Sequence, residues 1–296
     1  MKGERDMVAR FDHVVIAVRD LDEGIRRDQA LGFDVRPGGA HPGRGTHNAL
    51  IRFGLDYIEL MAIRDEAELV ASGPAGGVLR DFVREHESGL IGYALATSDI
   101  EQDAERFRRA GIPVEGPYAM ERVRPDGNLL SWRLLVPESV QWRRPWPFLI
   151  QWDTPDAQRL AWEQPGRCEN TADGVVGLSV AVRDLPRAMS LYRDVLGLEL
   201  VERDARGDLA AERATFQLGA FRISLLARVG VGPLQRILDD MGEGPCELTL
   251  SVADIDQARR VMERAGVGVR AMADSPATLQ IALDPAREPQ LLLVGR

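Results

Sequence analysis

Short apolar runs recur along this chain, each closed by the same polar punctuation. Val14-Val15-Ile16-Ala17-Val18 is followed by Arg19-Asp20-Leu21, and Tyr93-Ala94-Leu95-Ala96-Thr97 by Ser98-Asp99-Ile100. The order returns as Leu178-Ser179-Val180-Ala181-Val182 with Arg183-Asp184-Leu185, and as Leu248-Thr249-Leu250-Ser251-Val252 with Ala253-Asp254-Ile255. Each Asp opens a stretch of helical periodicity that ends on an apolar residue and a glycine: Gly32, Gly111, Gly197 and Gly266. The Asp-to-Gly spacing is 12 residues in three copies and 13 in the third. The pattern predicts a strand, an Asp accepting the orphan amides of the next helix, about three helical turns, and a glycine closing the helix in a left-handed conformation. In the third copy Pro186 stands near the helix start, and Met189, Tyr192 and Leu196 share a face that should pack on a sheet.

Three further strands are expected behind each helix. In the first copy they are a strand around Val35, then residues 48–53 and 57–63, with Gly54-Leu55-Asp56 as a turn. The third copy has 214–218 and 222–226 about Gly219-Ala220. The second has 129–136 and 148–152, separated by the Trp- and Pro-rich segment 141–147, and the fourth ends on 291–294. The unit is therefore βαβββ, present four times, and the fold class is α+β. The modules pair into two domains, residues 1–155 and 173–296, joined by a linker at 156–172 that lacks steady periodicity and is expected to hold one helical turn. An insertion at 64–88 joins the first two modules, with a helix around Val78-Leu79-Arg80-Asp81-Phe82-Val83.

Composition narrows the function classes. The 296 residues, 45% apolar and 28% charged, suit a globular chain of two domains. A net charge of −9 repels phosphate backbones and argues against nucleic acid. No apolar run is long enough for a bilayer and the first residues carry no apolar signal segment, so the expectation is a cytoplasmic protein without a membrane partner. Cys168 and Cys246 share no CxxC spacing, which speaks against a disulfide framework or a thiolate zinc site.

Asp12-His13-Val14-Val15-Ile16-Ala17-Val18-Arg19-Asp20-Leu21 resembles the first strand and turn of glyoxalase-type domains, and Tyr192-Arg193-Asp194-Val195-Leu196-Gly197-Leu198 resembles their helix ending still more closely. The chain thus looks like a tandem member of the glyoxalase/bleomycin-resistance/extradiol-dioxygenase, or vicinal oxygen chelate, superfamily. The resemblance implies paired modules curling into an open barrel around a cleft, with metal ligands taken from the first and last strands of each module. Those positions are His13 and Glu59 in the first module, Gly92 and Gln151 in the second. His13, Glu59 and Gln151 would suit Zn²⁺, Mn²⁺, Fe²⁺, Ni²⁺ or Mg²⁺ with water in open positions, and Glu59 would be the catalytic base. The same side chains could equally line a cleft that holds no metal. In the second domain the corresponding positions are Gly177, Ser224, Glu247 and Leu292, and no metal is expected there. That half contains no histidine, which argues against an extradiol dioxygenase.

His41-Pro42-Gly43-Arg44-Gly45-Thr46-His47 could bring a cation and backbone amides against a substrate carboxylate or phosphate, with Arg44 and His47 as candidates; a polar surface loop explains it more simply. Trp132, Trp146 and Trp152 could wall a pocket for a planar ligand, with core packing as the plainer account. His86 is expected on a solvated helix end. The functional expectation is a small-molecule protein with metal-assisted lyase or isomerase chemistry in the first cleft and a degenerate second domain. The rivals are a non-catalytic drug or metabolite binder of the bleomycin-resistance type and a bare scaffold. Monomer and homodimer both remain open.

Overall fold

The structure is a computed structural model and describes residues 8–124, 127–138, 140–272, 275–282 and 290–296. The first module is β1 (Val8–Val18), α1 (Leu21–Ala30), β2 (Val35–His41), β3 (Thr46–Arg52) and β4 (Tyr57–Ile63). Helices α2 (Glu66–Ala71) and α3 (Pro74–Glu85) form the insertion. The second module is β5 (Ser88–Thr97), α4 (Ile100–Arg109), β6 (Val114–Val123), β7 (Leu129–Pro137) and β8 (Phe148–Trp152). After α5 (Asp156–Trp162) the plan repeats as β9 (Ala172–Val182), α6 (Leu185–Ser190), β10 (Glu199–Arg206), β11 (Ala211–Leu218), β12 (Phe221–Arg228), α7 (Pro233–Asp240), β13 (Gly244–Val252), α8 (Ile255–Arg264), β14 (Gly268–Met272), β15 (Ser275–Ala282) and β16 (Gln290–Gly295).

Each half makes one eight-stranded sheet, in the orders β2-β3-β4-β1-β5-β8-β7-β6 and β10-β11-β12-β9-β13-β16-β15-β14. Within a module the first strand runs parallel to the last, β1 with β4 and β5 with β8, and the modules join through antiparallel β1–β5. The first sheet curls until its edge strands β2 and β6 meet. This is the paired βαβββ architecture expected from the repeat.

The capping aspartates act as the pattern requires. Asp20, Asp99, Asp184 and Asp254 accept the amides of Glu23, Gln102, Arg187 and Gln257 at 2.9, 3.1, 2.9 and 2.8 Å. The extra residue of the third copy is absorbed by a wide turn after α6, where the Leu196 amide bonds the Leu191 carbonyl at 2.9 Å, five residues back. The α5 helix runs to seven residues, longer than the single turn expected of the linker.

Strand alternation divides the side chains between two faces. The outer faces of both sheets, including Val14, Ile16, Leu60 and Leu95 of the first half and Val180, Ile223 and Leu250 of the second, merge with the packed helices into one hydrophobic core. Phe11 stacks on Phe221 with centroids 4.2 Å apart, directly across the two halves. Arg143, from the Trp-rich segment, donates to the carbonyls of Met241, Gly242 and Pro245 at 2.8 to 2.9 Å and further ties the halves together. The concave face of the first sheet forms a separate apolar cluster with α3, through Val15, Met61, Leu79, Phe82 and Trp132. His86 is buried against Phe82, ring centroids 4.7 Å apart, and is not on the solvated end expected of it.

Candidate functional site

The concave face of the first sheet encloses a cleft of about 270 Å³. His13 and Val15 of β1 and Tyr57, Glu59 and Met61 of β4 line it, because alternate residues of these strands share a face. A bulge in β1 leaves Asp12 without a partner on β5, since Phe11 pairs with Leu95 and His13 with Ala94. The bulge lets Asp12 and His13, neighbours in sequence, meet side chain to side chain.

The His13 ring stacks on Tyr57, centroids 4.6 Å apart and planes at 14°, and meets the edge of Phe148 at 5.5 Å. Its Nδ1 lies 2.8 Å from Asp12 Oδ1. Burial alone would push the Asp12 carboxyl up. The hydrogen bond from His13 and the charges of His13, Arg10 and Arg159 outweigh it and hold Asp12 well below the usual carboxylate range. Asp12 also accepts from Arg10 at 2.8 Å and from the Trp152 indole at 3.0 Å. The Arg159 guanidinium of α5 stacks 3.6 Å from the Trp152 ring centroid, which fixes the aromatic wall from behind. An ionised Asp12 sets His13 as the Nδ1–H donor and leaves Nε2 facing the cleft, 3.7 Å from Glu59 Oε2.

His41 approaches Glu59 from the other side, its Nε2 3.8 Å from Oε1. Asn48 Nδ2 donates to Glu59 Oε1 at 2.6 Å and reaches His41 Nε2 at 3.3 Å. An amide NH₂ only donates, so Nε2 accepts and Nδ1 carries the proton toward Thr46 Oγ1, 2.8 Å away. Burial lowers the His41 pKa, against the pull of Glu59, and Arg122 and Arg44 lower it further. The folded ring is thus held neutral. In the unfolded chain it protonates near pH 6.5, so stability is present above that pH and is lost as pH falls from 7 toward 5. Burial lowers His47 as well, so the comparison must be with a variant: His41→Gln is expected to lose less melting temperature than the parent between pH 7 and 5 in thermal unfolding.

The candidates from sequence are not all brought together. His13, Glu59, Arg44, Trp132 and Trp152 line the cleft. Gln151 does not. It lies on the outer face of β8, where Oε1 accepts from Ile100 N at 3.0 Å and Arg133 at 2.9 Å, and Nε2 donates to Ser98 O at 2.9 Å. The counterpart of Glu59 is instead Phe148, because Val15 pairs with Glu59 and its equivalent Ala94 pairs with Phe148. Gly92 leaves no open corner either: a Cβ there would sit 2.9 Å from the Trp142 ring. His47 points to the opposite face of β3, toward the charges of Arg64, Asp22 and Asp20. His41, Asn48, Trp142 and Arg122 are among the cleft residues that sequence reasoning passed over. The hairpin register held the signal for the first two, since His41 pairs with Thr46 and so shares a face with Asn48.

These positions bear on metal binding. Two of the four corner positions are closed by Phe148 and Trp142, and Glu59 Oε1 is taken up by Asn48. Among the described residues no group of three or more His, Cys, Asp or Glu side chains is arranged to hold a metal ion. The donor set His13, Glu59 and Gln151 expected from sequence does not assemble. In the second domain the corner carboxylate Glu247 is paired internally, accepting from Arg206 at 3.2 Å and from Ser179 at 2.9 Å.

The fold and cleft define a tandem protein of paired βαβββ modules. Residues 11–196 match the family described as glyoxalase-like domain, and residues 174–285 match the glyoxalase/bleomycin resistance protein/dioxygenase superfamily. The chain belongs to the glyoxalase-like family. It is similar over 97% of its length to 99% of a hypothetical protein from Staphylococcus aureus, at 18% identity and a TM-score of 0.66. It is similar over 98% of its length to 93% of a substituted 4-hydroxymandelate synthase from Streptomyces coelicolor, at 13% identity and a TM-score of 0.68. At these identities the likeness shows the fold alone. No curated protein matches the chain.

Proposed function

We propose that the chain is an enzyme of the lyase or isomerase kind that moves a proton at a carbon next to a carbonyl, in the cleft of its first domain. One observation carries the reading. A carboxylate, Glu59, stands between two imidazole nitrogens, 3.7 Å from His13 and 3.8 Å from His41, against apolar walls that include Val15, Trp132 and Ile150. Such walls exclude water and strengthen each charge within them.

Glu59 takes the proton from the substrate carbon. The Nε2 of His13, its ring held by Asp12 and Tyr57, gives a proton to the carbonyl oxygen as negative charge builds there and takes it back when the carbonyl re-forms. Return of the proton to a neighbouring atom completes an isomerisation. Departure of a group from the adjacent carbon completes an elimination. Neither route needs an oxidant or a reductant. Superfamily members typically use a divalent metal, but the donors present here do not fit one, so every step is assigned to side chains.

The test is solvent-deuterium incorporation, read by proton NMR, across a panel of hydroxyketones, 2-oxo acids and 2-substituted acyl compounds. Exchange above buffer is expected with at least one class, and exhaustive dialysis against a chelator should leave its rate unchanged. Panel members that bind without exchanging would replace this reading with the sequestering one, which the aromatic wall of Trp132 and Trp152 would then explain. Loss of exchange on chelation would overturn the metal-free assignment. Among the described residues no helix is long and apolar enough to cross a membrane.

A further inference from the structure

We propose that the substrate is a carboxylate, and that its anionic group seats between Arg44 and Arg122 while its hydrocarbon or aromatic part lies against Trp132 and Trp152. The proposal rests on the cleft being the substrate site and names the class of molecule it takes.

Arg44 lines the cleft from the turn between β2 and β3. Its guanidinium meets the Met120 sulfur at 3.3 Å, a weak acceptor, and among the described residues no carboxylate lies within ion-pair distance of it. A half-buried guanidinium with five donors and only a thioether beside it has unused capacity. Met120 and Arg122 are two residues apart on β6 and both line the cleft, which puts their Cα atoms roughly 7 Å apart. Arg44 and Arg122 therefore both flank Met120 on the cleft wall, and the charges of both act on His41.

Arg122 cannot turn its whole charge to Arg44's side of the cleft, because it is buried and bonded to Glu163 at 2.8 Å. That single carboxylate also serves Arg52, at 2.5 Å, and lies within 3.7 Å of Arg124. The Nε of Arg122 is buried without a hydrogen-bond partner. Among the described residues the cleft lining holds two guanidinium groups, Arg44 and Arg122, and the Glu163 carboxylate that Arg122 meets is shared with Arg52, in a chain whose net charge is −9. Of the two carboxylates lining the cleft, Glu59 is engaged by Asn48, and the exposed Glu115 accepts from Tyr118 at 2.6 Å. A concentrated positive end inside an acidic protein attracts an anion. The fork of a guanidinium matches the two coplanar oxygens of a carboxylate, and a volume of about 270 Å³ admits a small molecule only.

The experiment titrates the whole protein with pairs of acid and neutral amide, followed by tryptophan fluorescence at low and high salt. The pairs are phenylacetate with phenylacetamide, 4-methylpentanoate with its amide, and hexanoate with its amide. At least one acid should bind about 10-fold or more tightly than its amide, with the preference shrinking in salt. Arg44→Gln should erase the preference, and Arg44→Lys, which keeps the charge without the fork, should retain part of it. Equal binding of acid and amide, or a preference untouched in Arg44→Gln, overturns the carboxylate assignment and leaves the cleft reading standing. Tighter binding of phenyl phosphate than of phenylacetate overturns it in favour of a phosphate ester. Binding of no probe overturns the cleft reading and this assignment together.

Discussion

Glu59→Gln is expected to slow proton exchange at the substrate carbon by about 10²- to 10⁴-fold, the usual contribution of a positioned general base. The fold should survive. Glutamine has the same shape as the carboxylate and its oxygen can still accept from Asn48 Nδ2, so the buried amide keeps its partner. Melting temperature should change little, and ligand affinity should fall far less than the exchange rate. Glu59→Asp is a graded control. It keeps the charge but draws it back by one methylene, so exchange should fall by an intermediate factor. An exchange rate in Glu59→Gln equal to that of the parent would remove the carboxylate from the chemistry.

Gly45→Ala should cause the largest loss of stability of any single methyl addition in the loop that carries Arg44. Gly45 has φ +66°, and a Cβ there would lie 2.3 Å from both the Asp65 carbonyl oxygen and the Leu69 amide nitrogen. Both are backbone, Asp65 capping α2 and Leu69 within it, and cannot swing aside. The Gly45 carbonyl also accepts the amides of Arg64 at 2.8 Å and Asp65 at 3.1 Å, so displacing the loop breaks its tie to that helix. The left-handed conformation costs an alanine about 1 to 2 kcal/mol. With the steric conflict added, a total of roughly 3 kcal/mol or more is expected, about 6 to 12 °C in melting temperature for a domain of this size. Gly43→Ala isolates the first contribution, because Gly43 has φ +72° but nothing near its Cβ. It should lose about 1 to 2 kcal/mol only. Equal losses in the two variants, measured by calorimetry, would contradict the packing argument.

The fold was legible because it is written four times. An Asp cap and a closing glycine at nearly constant spacing placed the helix of each module, and apolar alternation placed β4 and β8 to the residue. His13 and Glu59 were legible for the same reason, since both lie at fixed distances from the cap in a module without insertions. The second module defeated the method. Its 141–147 segment breaks the count between β7 and β8, so the likeness of Leu149-Ile150-Gln151-Trp152 to Tyr57-Ile58-Glu59-Leu60 selected Gln151, whereas the pairing of β5 with β8 selects Phe148. Trp142 was hidden because its role depends on a loop folding back over Gly92, a contact between residues 50 apart that no local pattern encodes. The choice of His47 over His41 was a register error. One residue along a strand turns a side chain to the other face, and the cleft takes Thr46 and Asn48 while His47 looks outward. The helix end at His86 misled for a similar reason: charged neighbours suggested solvent, but Phe82 one turn earlier draws the ring inward.

The common core beneath both sheets places the two halves under unequal demands. The second half packs its convex side against the first and cannot change there without unseating the structure that presents His13 and Glu59. Its concave side bears no such obligation, and there Arg206 pairs with Glu247 at 3.2 Å. Removing that half should not leave the first cleft intact. It would strip the cover from Phe11 and its apolar neighbours, so the cleft persists only as long as the second half stays in place.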